Sequence, residues 1–308
     1  MPEQRARVAA IDCGTNSIRL LISDIGDGRK TDLLREMRVV RLGQDVDRTG
    51  HLADDAVQRT LQASREYAEL IAMFGVTDIR FCATSAVRDA DNADAFGDAV
   101  EGVLGVRPEV LAGADEARAS FLGATRDLDD VRTLVVDIGG GSTEIVVGTG
   151  DRIEWSVSLD IGSVRLTERF LPSDPASVSE VAACMEHVDA VLAPVVAQLD
   201  PVGSFVGVAG TVTTVAAHSL ALPSYDSDVI HRARLDLSDV SAACLSLVQM
   251  SVADRRMLPF MHPGRADVIG AGSLILDRLV AQLPLDTDTL VVSEHDILDG
   301  IAWDMVSH

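Results

Sequence analysis

The sequence predicts an α/β protein of two related domains, each a mixed five-stranded sheet flanked by helices, the two facing each other across a cleft. Three observations predict it. Strand-like and helix-like patterns alternate along the chain, and the same order of patterns begins again in the second half. An aspartate followed by a Gly/Ser/Thr turn occurs twice, as Asp12-Cys13-Gly14-Thr15-Asn16-Ser17 and as Asp137-Ile138-Gly139-Gly140-Gly141-Ser142, 125 positions apart. Solenoid periods are only about 20–50 residues, so self-similarity at this separation marks a duplicated domain.

The elements follow in order. Val8–Ile11, Ile18–Ile25 and Leu33–Leu42 read as three strands, with Gly26-Asp27-Gly28 as turn chemistry between the last two. Asp54–Phe74 carries apolar residues at Val57, Leu61, Ala68, Ile71 and Ala72 and is an amphipathic helix. A strand at Ile79–Ala83, a helix over Ala93–Leu104, a strand at Glu109–Ala112 and a helix from Ala114 complete a β-β-β-α-β-α-β-α unit. The second half repeats its opening. Strands are expected at Thr133–Val136, Ile145–Thr149 and Ile153–Leu159, helices at Val164–Phe170 and Ser177–Leu199, then a strand at Phe205–Ala209 and a helix after Gly210. The polar stretch Arg126-Asp127-Leu128-Asp129-Asp130 separates a first domain over 1–130 from a second over 131–308, with a last helix at about 296–306 expected to dock back on the first.

Composition excludes several classes of function. The net charge of −22, from 26 Lys and Arg against 48 Asp and Glu, disfavours general affinity for nucleic acid or an anionic membrane. A polyanionic substrate would need a local basic site. Cys13, Cys82, Cys184 and Cys244 are far apart, without the paired spacing of a zinc site or a disulfide framework, which suits a reducing cytoplasm. The charged start is followed by an apolar run that ends at Asp12, too short for a signal-peptide core. Val202 to Ser224 lacks Asp, Glu, Lys and Arg, but Gly207, Gly210, Thr211, Thr213, Thr214 and His218 interrupt it, so it reads as a buried strand, a glycine turn and a helix.

A strand that ends in Asp and passes at once into a Gly/Ser/Thr turn places a carboxylate beside backbone N–H groups. Amides and hydroxyls of such a turn can hold phosphate oxygens while the carboxylate holds Mg²⁺ directly or through water. One such turn could equally be a hairpin that merely needs glycines; two matched turns in a duplicated frame favour the phosphate reading.

These turns, with Val206-Gly207-Val208-Ala209-Gly210-Thr211, resemble the two phosphate loops and third glycine motif of the superfamily that contains actin, sugar kinases and heat-shock chaperones. The ribonuclease H-like fold is what this resemblance implies. Within the superfamily the chain resembles the exopolyphosphatase and guanosine pentaphosphatase family. The segments that carry the likeness are Ile11 to Leu20, Ala83 to Ala90, Ala114 to Arg118, Asp137 to Ile145, Ile161 to Thr167 and Arg265 to Ile269. The resemblance implies hydrolysis of a terminal phosphoanhydride, of inorganic polyphosphate or of a polyphosphorylated guanosine nucleotide. It is compatible with a homodimer. Glu116 matches the general base. Asp137 and Glu144, with Asp12, match carboxylates placed around Mg²⁺, for which Mn²⁺ would serve, since both ions accept oxygen ligands. Thr15, Asn16, Ser17, Ser85, Gly139, Gly140, Gly141, Ser142, Ser163, Gly210 and Thr211 match the phosphate cradle, and Arg19, Arg88 and Arg165 are candidates for a charge clamp.

Each of these residues also has a plainer reading. Glu116 opens a helix, where the macrodipole alone favours an acid. Glu144, seven residues after Asp137, would face outward on an ordinary strand, and Arg19 between Ile18 and Leu20 would face solvent. Arg232, Arg234, Arg255, Arg256 and Arg265 read either as a substrate path or, for most of them, as surface ion pairs. Departures from the family pattern are Cys13, Gly270 where a proline is common, and the partial ending Ser293 to Gly300. The chain given stops at His308, where longer members carry a further helical region, and this favours polyphosphate of limited length. A sugar or acid kinase would use the same loops, with an added acceptor pocket. A nucleotide-dependent chaperone or filament would need a client or polymer interface, which no segment announces.

Overall fold

The computed structural model describes residues 5–126, 128 and 130–306. Asp127 and Asp129, on which the expected domain boundary partly falls, lie outside the described residues. The chain divides into two compact units at Gly123/Ala124 and again at Asp296/Ile297, so that the first unit also includes the last helix. The break thus falls before the expected residue 130, inside the helix Gly113–Thr125.

In the first unit β1 (Ala6–Cys13), β2 (Ser17–Gly26) and β3 (Arg29–Val39) form an antiparallel meander. Next come α1 (Val46–Thr49), α2 (Asp54–Met73), β4 (Asp78–Ala83), α3 (Ser85–Arg88), α4 (Ala93–Leu104), β5 (Glu109–Val110) and α5 (Gly113–Thr125). β4 joins β1 in parallel and β5 joins β4, giving the order β3-β2-β1-β4-β5. The β2–β3 link is a two-residue turn at Asp27 (φ +54°) and Gly28 (φ +69°), so β3 starts at Arg29, earlier than the expected Leu33. A turn with positive φ at both central residues matches the twist of an antiparallel pair, which explains the Asp-Gly sequence. β3 ends at Val39, short of the expected Leu42, because the carbonyl of Asn16 accepts from the amides of Val40 and Arg41.

Central β1 is buried on both faces, which explains its uninterrupted apolar run. Ala9, Ile11 and Cys13 pack with Tyr67 of α2 and Phe96 and Val100 of α4, while Val8 and Ala10 pack with the last helix, α13 (Ile297–Asp304), through Leu298, Ile301 and Ala302. Edge strand β3 carries Arg29, Lys30, Asp32, Arg35, Glu36 and Arg38, charges that discourage pairing with another chain.

The second unit opens with the same meander, β6 (Arg132–Ile138), β7 (Thr143–Thr149) and β8 (Arg152–Leu159), then α6 (Ser163–Phe170), α7 (Val178–Val196), β9 (Ser204–Val208) and α8 (Ala209–Ser219). The stretch from Val202 to Ser224 is thus the expected strand, glycine turn and helix, and among the described residues no helix is long and apolar enough to cross a membrane. α7 begins in a capping box between Ser177 and Glu180. The unit continues with α9 (Ser227–Ile230), β10 (Arg234–Asp236), α10 (Leu237–Gln249), α11 (Val252–Arg256), α12 (Ile269–Gln282) and β11 (Thr289–Val292). Its sheet order is β10-β11-β9-β6-β7-β8. Five of these strands repeat the first unit; the sixth, β10, is an added antiparallel edge on β11 and corrects the expectation of five strands in each sheet.

Candidate active site

In the first unit the turn after β1 is closed by the Gly14 amide, which donates to the Ser17 carbonyl at 2.9 Å. Asp12 and Arg19 stand opposite each other in the β1–β2 ladder, and directly opposed residues share a face of the sheet. Arg19 uses this to donate both Nε (2.9 Å) and Nη2 (2.6 Å) to Asp12 Oδ2. Arg19 is therefore turned onto its neighbouring strand, not simply outward, and Asp12, expected beside a metal, is engaged by a guanidinium. The buried hydroxyls of Thr15 and Ser85 lie 3.0 Å apart, so the turn after β1 and the start of α3 meet. A glycine outside the expected set backs this contact: a Cβ on Gly43 would lie 2.3 Å from Thr15 Cγ2, while its amide donates to the Thr15 carbonyl. Two positions before it, Arg41 holds φ at +52°, a sparsely populated conformation for a side-chain-bearing residue.

Arg88, at the end of α3, donates Nη1 to the Leu111 carbonyl (2.8 Å) and to Glu116 Oε2 (3.1 Å). Glu116, on the first turn of α5, is 7% exposed. The candidate base and one candidate clamp residue are thus in contact.

The second unit repeats the turn, the Gly139 amide donating to the Ser142 carbonyl at 3.0 Å. Here the positions equivalent to Asp12 and Arg19 are Asp137 and Glu144, which oppose each other across β6 and β7 at 6% and 1% exposure. Glu144 shares its face with Asp137 because the intervening turn reverses the chain; counting seven residues along one strand gave the opposite answer. Ser158, opposite Glu144 on β8, donates Oγ to Glu144 Oε1 at 2.7 Å, a partner the sequence reading missed. Like charges directly opposed on a sheet repel, and a divalent cation between two such carboxylates would relieve that repulsion.

The glycine turn is oriented by α6. The Gly139 carbonyl accepts from the Ser163 amide and hydroxyl, the Gly140 carbonyl from the amides of Val164 and Arg165, and the Gly141 carbonyl from Arg165 Nε at 2.7 Å. These peptides are trans, and a trans plane points its C=O and N–H in opposite directions. The N–H groups of Gly140, Gly141 and Ser142 are consequently directed away from α6. Arg165, a proposed clamp residue, braces the turn from behind through this bond. Gly162 has to be glycine: a Cβ there would lie 2.4–2.5 Å from the Gly140 and Gly141 backbone.

The third motif passes directly from β9 into α8 at Ala209, which holds φ at +65°. Gly210 lies under the Arg265 guanidinium, whose atoms would be 2.3–2.7 Å from an added Cβ. A Cβ on Gly272 of α12 would meet Thr211 Oγ1 at 2.7 Å and Ser163 Cβ at 3.3 Å, so this one glycine brings the third motif beside the segment that orients the glycine turn. Ser142 and Thr211 are themselves buried, at 2% and 6% exposure. Ser17 and Asn16 stand at the entry to β2.

A family model described as the Ppx/GppA phosphatase family matches residues 21–308. The chain belongs to this family. It is 46% identical to exopolyphosphatase 2 of Mycobacterium tuberculosis, over 96% of this chain and 97% of that protein. It is 29% identical to a guanosine-5'-triphosphate,3'-diphosphate pyrophosphatase of Vibrio vulnificus, over 97% of this chain and 59% of that protein. The crystal structure of an exopolyphosphatase-like protein, 40% identical, superposes with a TM-score of 0.92 over 97% of each chain. In this Ppx/GppA protein a Cβ on Gly270 would lie 2.6 Å from Arg255 Nη2. Arg255 lines no surface path: it is 5% exposed and donates to the carbonyls of Leu247 (2.8 Å), Val248 (3.3 Å) and Ala266 (3.2 Å). Burial lowers its pKa from the usual arginine value.

Proposed function

We propose that this protein is an exopolyphosphatase, releasing orthophosphate from the end of inorganic polyphosphate. The observation that carries the reading is the second unit's glycine turn, whose amides are directed away from α6 next to the opposed carboxylates Asp137 and Glu144. Backbone amides suit phosphate oxygens, and a carboxylate pair suits the ion that accompanies them. The 46% identity to a protein named exopolyphosphatase 2 favours polyphosphate over guanosine pentaphosphate, the second reading, which has support from a 29% identical relative.

Among the described residues no three His, Cys, Asp or Glu side chains gather as a metal group. Asp137 and Glu144 nevertheless fit Mg²⁺, which is commonly held by one or two carboxylates, with water and substrate phosphate completing its shell. When bound, Mg²⁺ would supply charge neutralisation at the phosphate oxygens. Ser158 holds Glu144 in place, and the amides of Gly140, Gly141 and Ser142 with the Ser142 and Thr211 hydroxyls bind the phosphates. Glu116 accepts the proton of the attacking water. Arg88, bonded to Glu116 within the first unit, is the candidate cation for a phosphate oxygen. Asp12 accepts two bonds from Arg19 on Oδ2 and so orients that guanidinium.

Purified protein offered short polyphosphate, long polyphosphate, guanosine pentaphosphate and ATP side by side with Mg²⁺ tests the assignment. Orthophosphate from polyphosphate is expected. ADP formation that depends on an added alcohol or acid acceptor, or release from guanosine pentaphosphate alone, would overturn it.

A further inference from the structure

Helices α5 and α13 meet in the first unit with no room between them. A Cβ on Gly300 of α13 would lie 1.9 Å from the carbonyl oxygen of Ala119 on α5, 2.6 Å from its carbonyl carbon and 2.9 Å from its Cα. All three are backbone atoms, so no rotation of a side chain could relieve the clash. Ala119 lies three residues after Glu116, one turn along the same face of α5.

α13 is fixed to the sheet: Asp299, fully buried, receives Lys30 Nζ at 2.9 Å and Arg35 Nη2 at 2.6 Å, Asp304 receives Arg80 Nη1 at 2.5 Å, and Leu298, Ile301 and Ala302 sit in the core. Beside the crossing a cavity of about 380 Å³ lies against α5, lined on that side by Asp115, Arg118, Ala119 and Leu122. That face of α5 has open space beside it, while Ala117, Ser120 and Phe121 bury its other face. Arg88, to which Glu116 is bonded, has a second anchor in the Leu111 carbonyl, on the segment ahead of α5.

We propose that Gly300 is a positioning residue for Glu116: by leaving its Cβ position empty it lets α5 approach α13 closely enough to set the carboxylate against Arg88. This rests on Glu116 being the general base. Real Cβ atoms essentially never approach a heavy atom closer than 3.0 Å, so Gly300→Ala forces α5 and α13 apart by about 1 Å. Misplacement of about 1 Å costs a reaction roughly 10²-fold when it falls on a positioned group.

The test is a cycle of four proteins: the unaltered chain, Gly300→Ala, Glu116→Gln and the double variant, each assayed for kcat and KM on short polyphosphate. Gly300→Ala is expected to lose roughly 10²-fold in kcat with KM nearly unchanged. In the Glu116→Gln background the same substitution should cost almost nothing further, because the group it displaces is already disabled. An unchanged kcat in Gly300→Ala, or an equal loss in both backgrounds, would overturn the inference. Near-normal turnover of Glu116→Gln would instead remove the general-base reading. A second measurement covers poor folding of Gly300→Ala. Asp299→Asn weakens the anchor of α13 without touching α5, and hydrogen exchange of the amides from Ala117 to Gly123 should then quicken at least tenfold. Unaltered protection of those amides would show that α13 does not hold α5, and would also overturn the inference.

Discussion

Replacing Glu144 with Gln removes one of two opposed buried charges while keeping the oxygen that accepts from Ser158. Opposed residues on antiparallel strands have Cβ atoms about 5 Å apart. Two unit negative charges at that separation repel by roughly 3 kcal/mol at an effective dielectric constant of about 20. With Mg²⁺ removed by chelator, relief of that repulsion should make Glu144→Gln more stable than the unaltered protein, by less than about 3 kcal/mol because both carboxylates also interact with other groups. For a unit of this size that is about 2–4 °C in Tm per kcal/mol. Added Mg²⁺ should reverse the order. The unaltered protein gains about 2.7 kcal/mol at an ion concentration roughly 100 times its Kd, while the variant, with half the carboxylate pair, gains much less. Thermal unfolding in chelator and across an Mg²⁺ titration measures both effects, with orthophosphate release recorded on the same samples. The reasoning is refuted if Glu144→Gln is less stable in chelator, or if its Tm responds to Mg²⁺ as the unaltered protein's does.

Other substitutions probe the remaining parts. Glu116→Gln should fold normally and lose on the order of 10²–10⁴-fold in kcat, read by steady-state phosphate release. Arg88→Ala should raise KM for polyphosphate and lower kcat, since it removes a cation and the partner of Glu116; unchanged values of both would exclude it from the site. Arg255→Leu should destabilise the second unit by about 3 kcal/mol or more, because it strips the donors from three carbonyls, and chemical denaturation would show this as a lower midpoint. Burial lowers the pKa of His218, whose Nε2 lies 3.0 Å from Ser246 Oγ, below the ordinary value of 6.5. The unfolded chain therefore takes up this proton first, and stability should fall as pH drops below about 6.5 until the folded-state pKa is passed. His218→Gln should flatten that part of a stability–pH curve.

The sequence by itself determined the parts that depend on neighbours along the chain. Short apolar runs located β1, β2, β6 and β7, Asp27-Gly28 set a hairpin turn, and the repeated Asp-plus-glycine turn announced the duplication, since strand, turn and helix patterns are local properties. The offset that maps Asp12 onto Asp137 also maps Arg19 onto Glu144. The first copy thus carries its own cation opposite the aspartate, and the second carries a carboxylate there. β10, at three residues, is too short for any periodicity to register.

Tertiary structure alone decided the rest. Counting along one strand put Glu144 on the wrong face, because the turn between the strands, not the residue count, fixes which side chains share a face. Arg255 looked like a surface cation until its three carbonyl partners and the space left by Gly270 were seen. Gly43 against Thr15, Gly272 against Thr211 and Gly300 against Ala119 are each required by a backbone or side chain distant in sequence. A glycine kept for close approach carries no local mark to distinguish it from one in a loop. Its necessity lies in what packs against it, and only the folded chain brings that neighbour into contact.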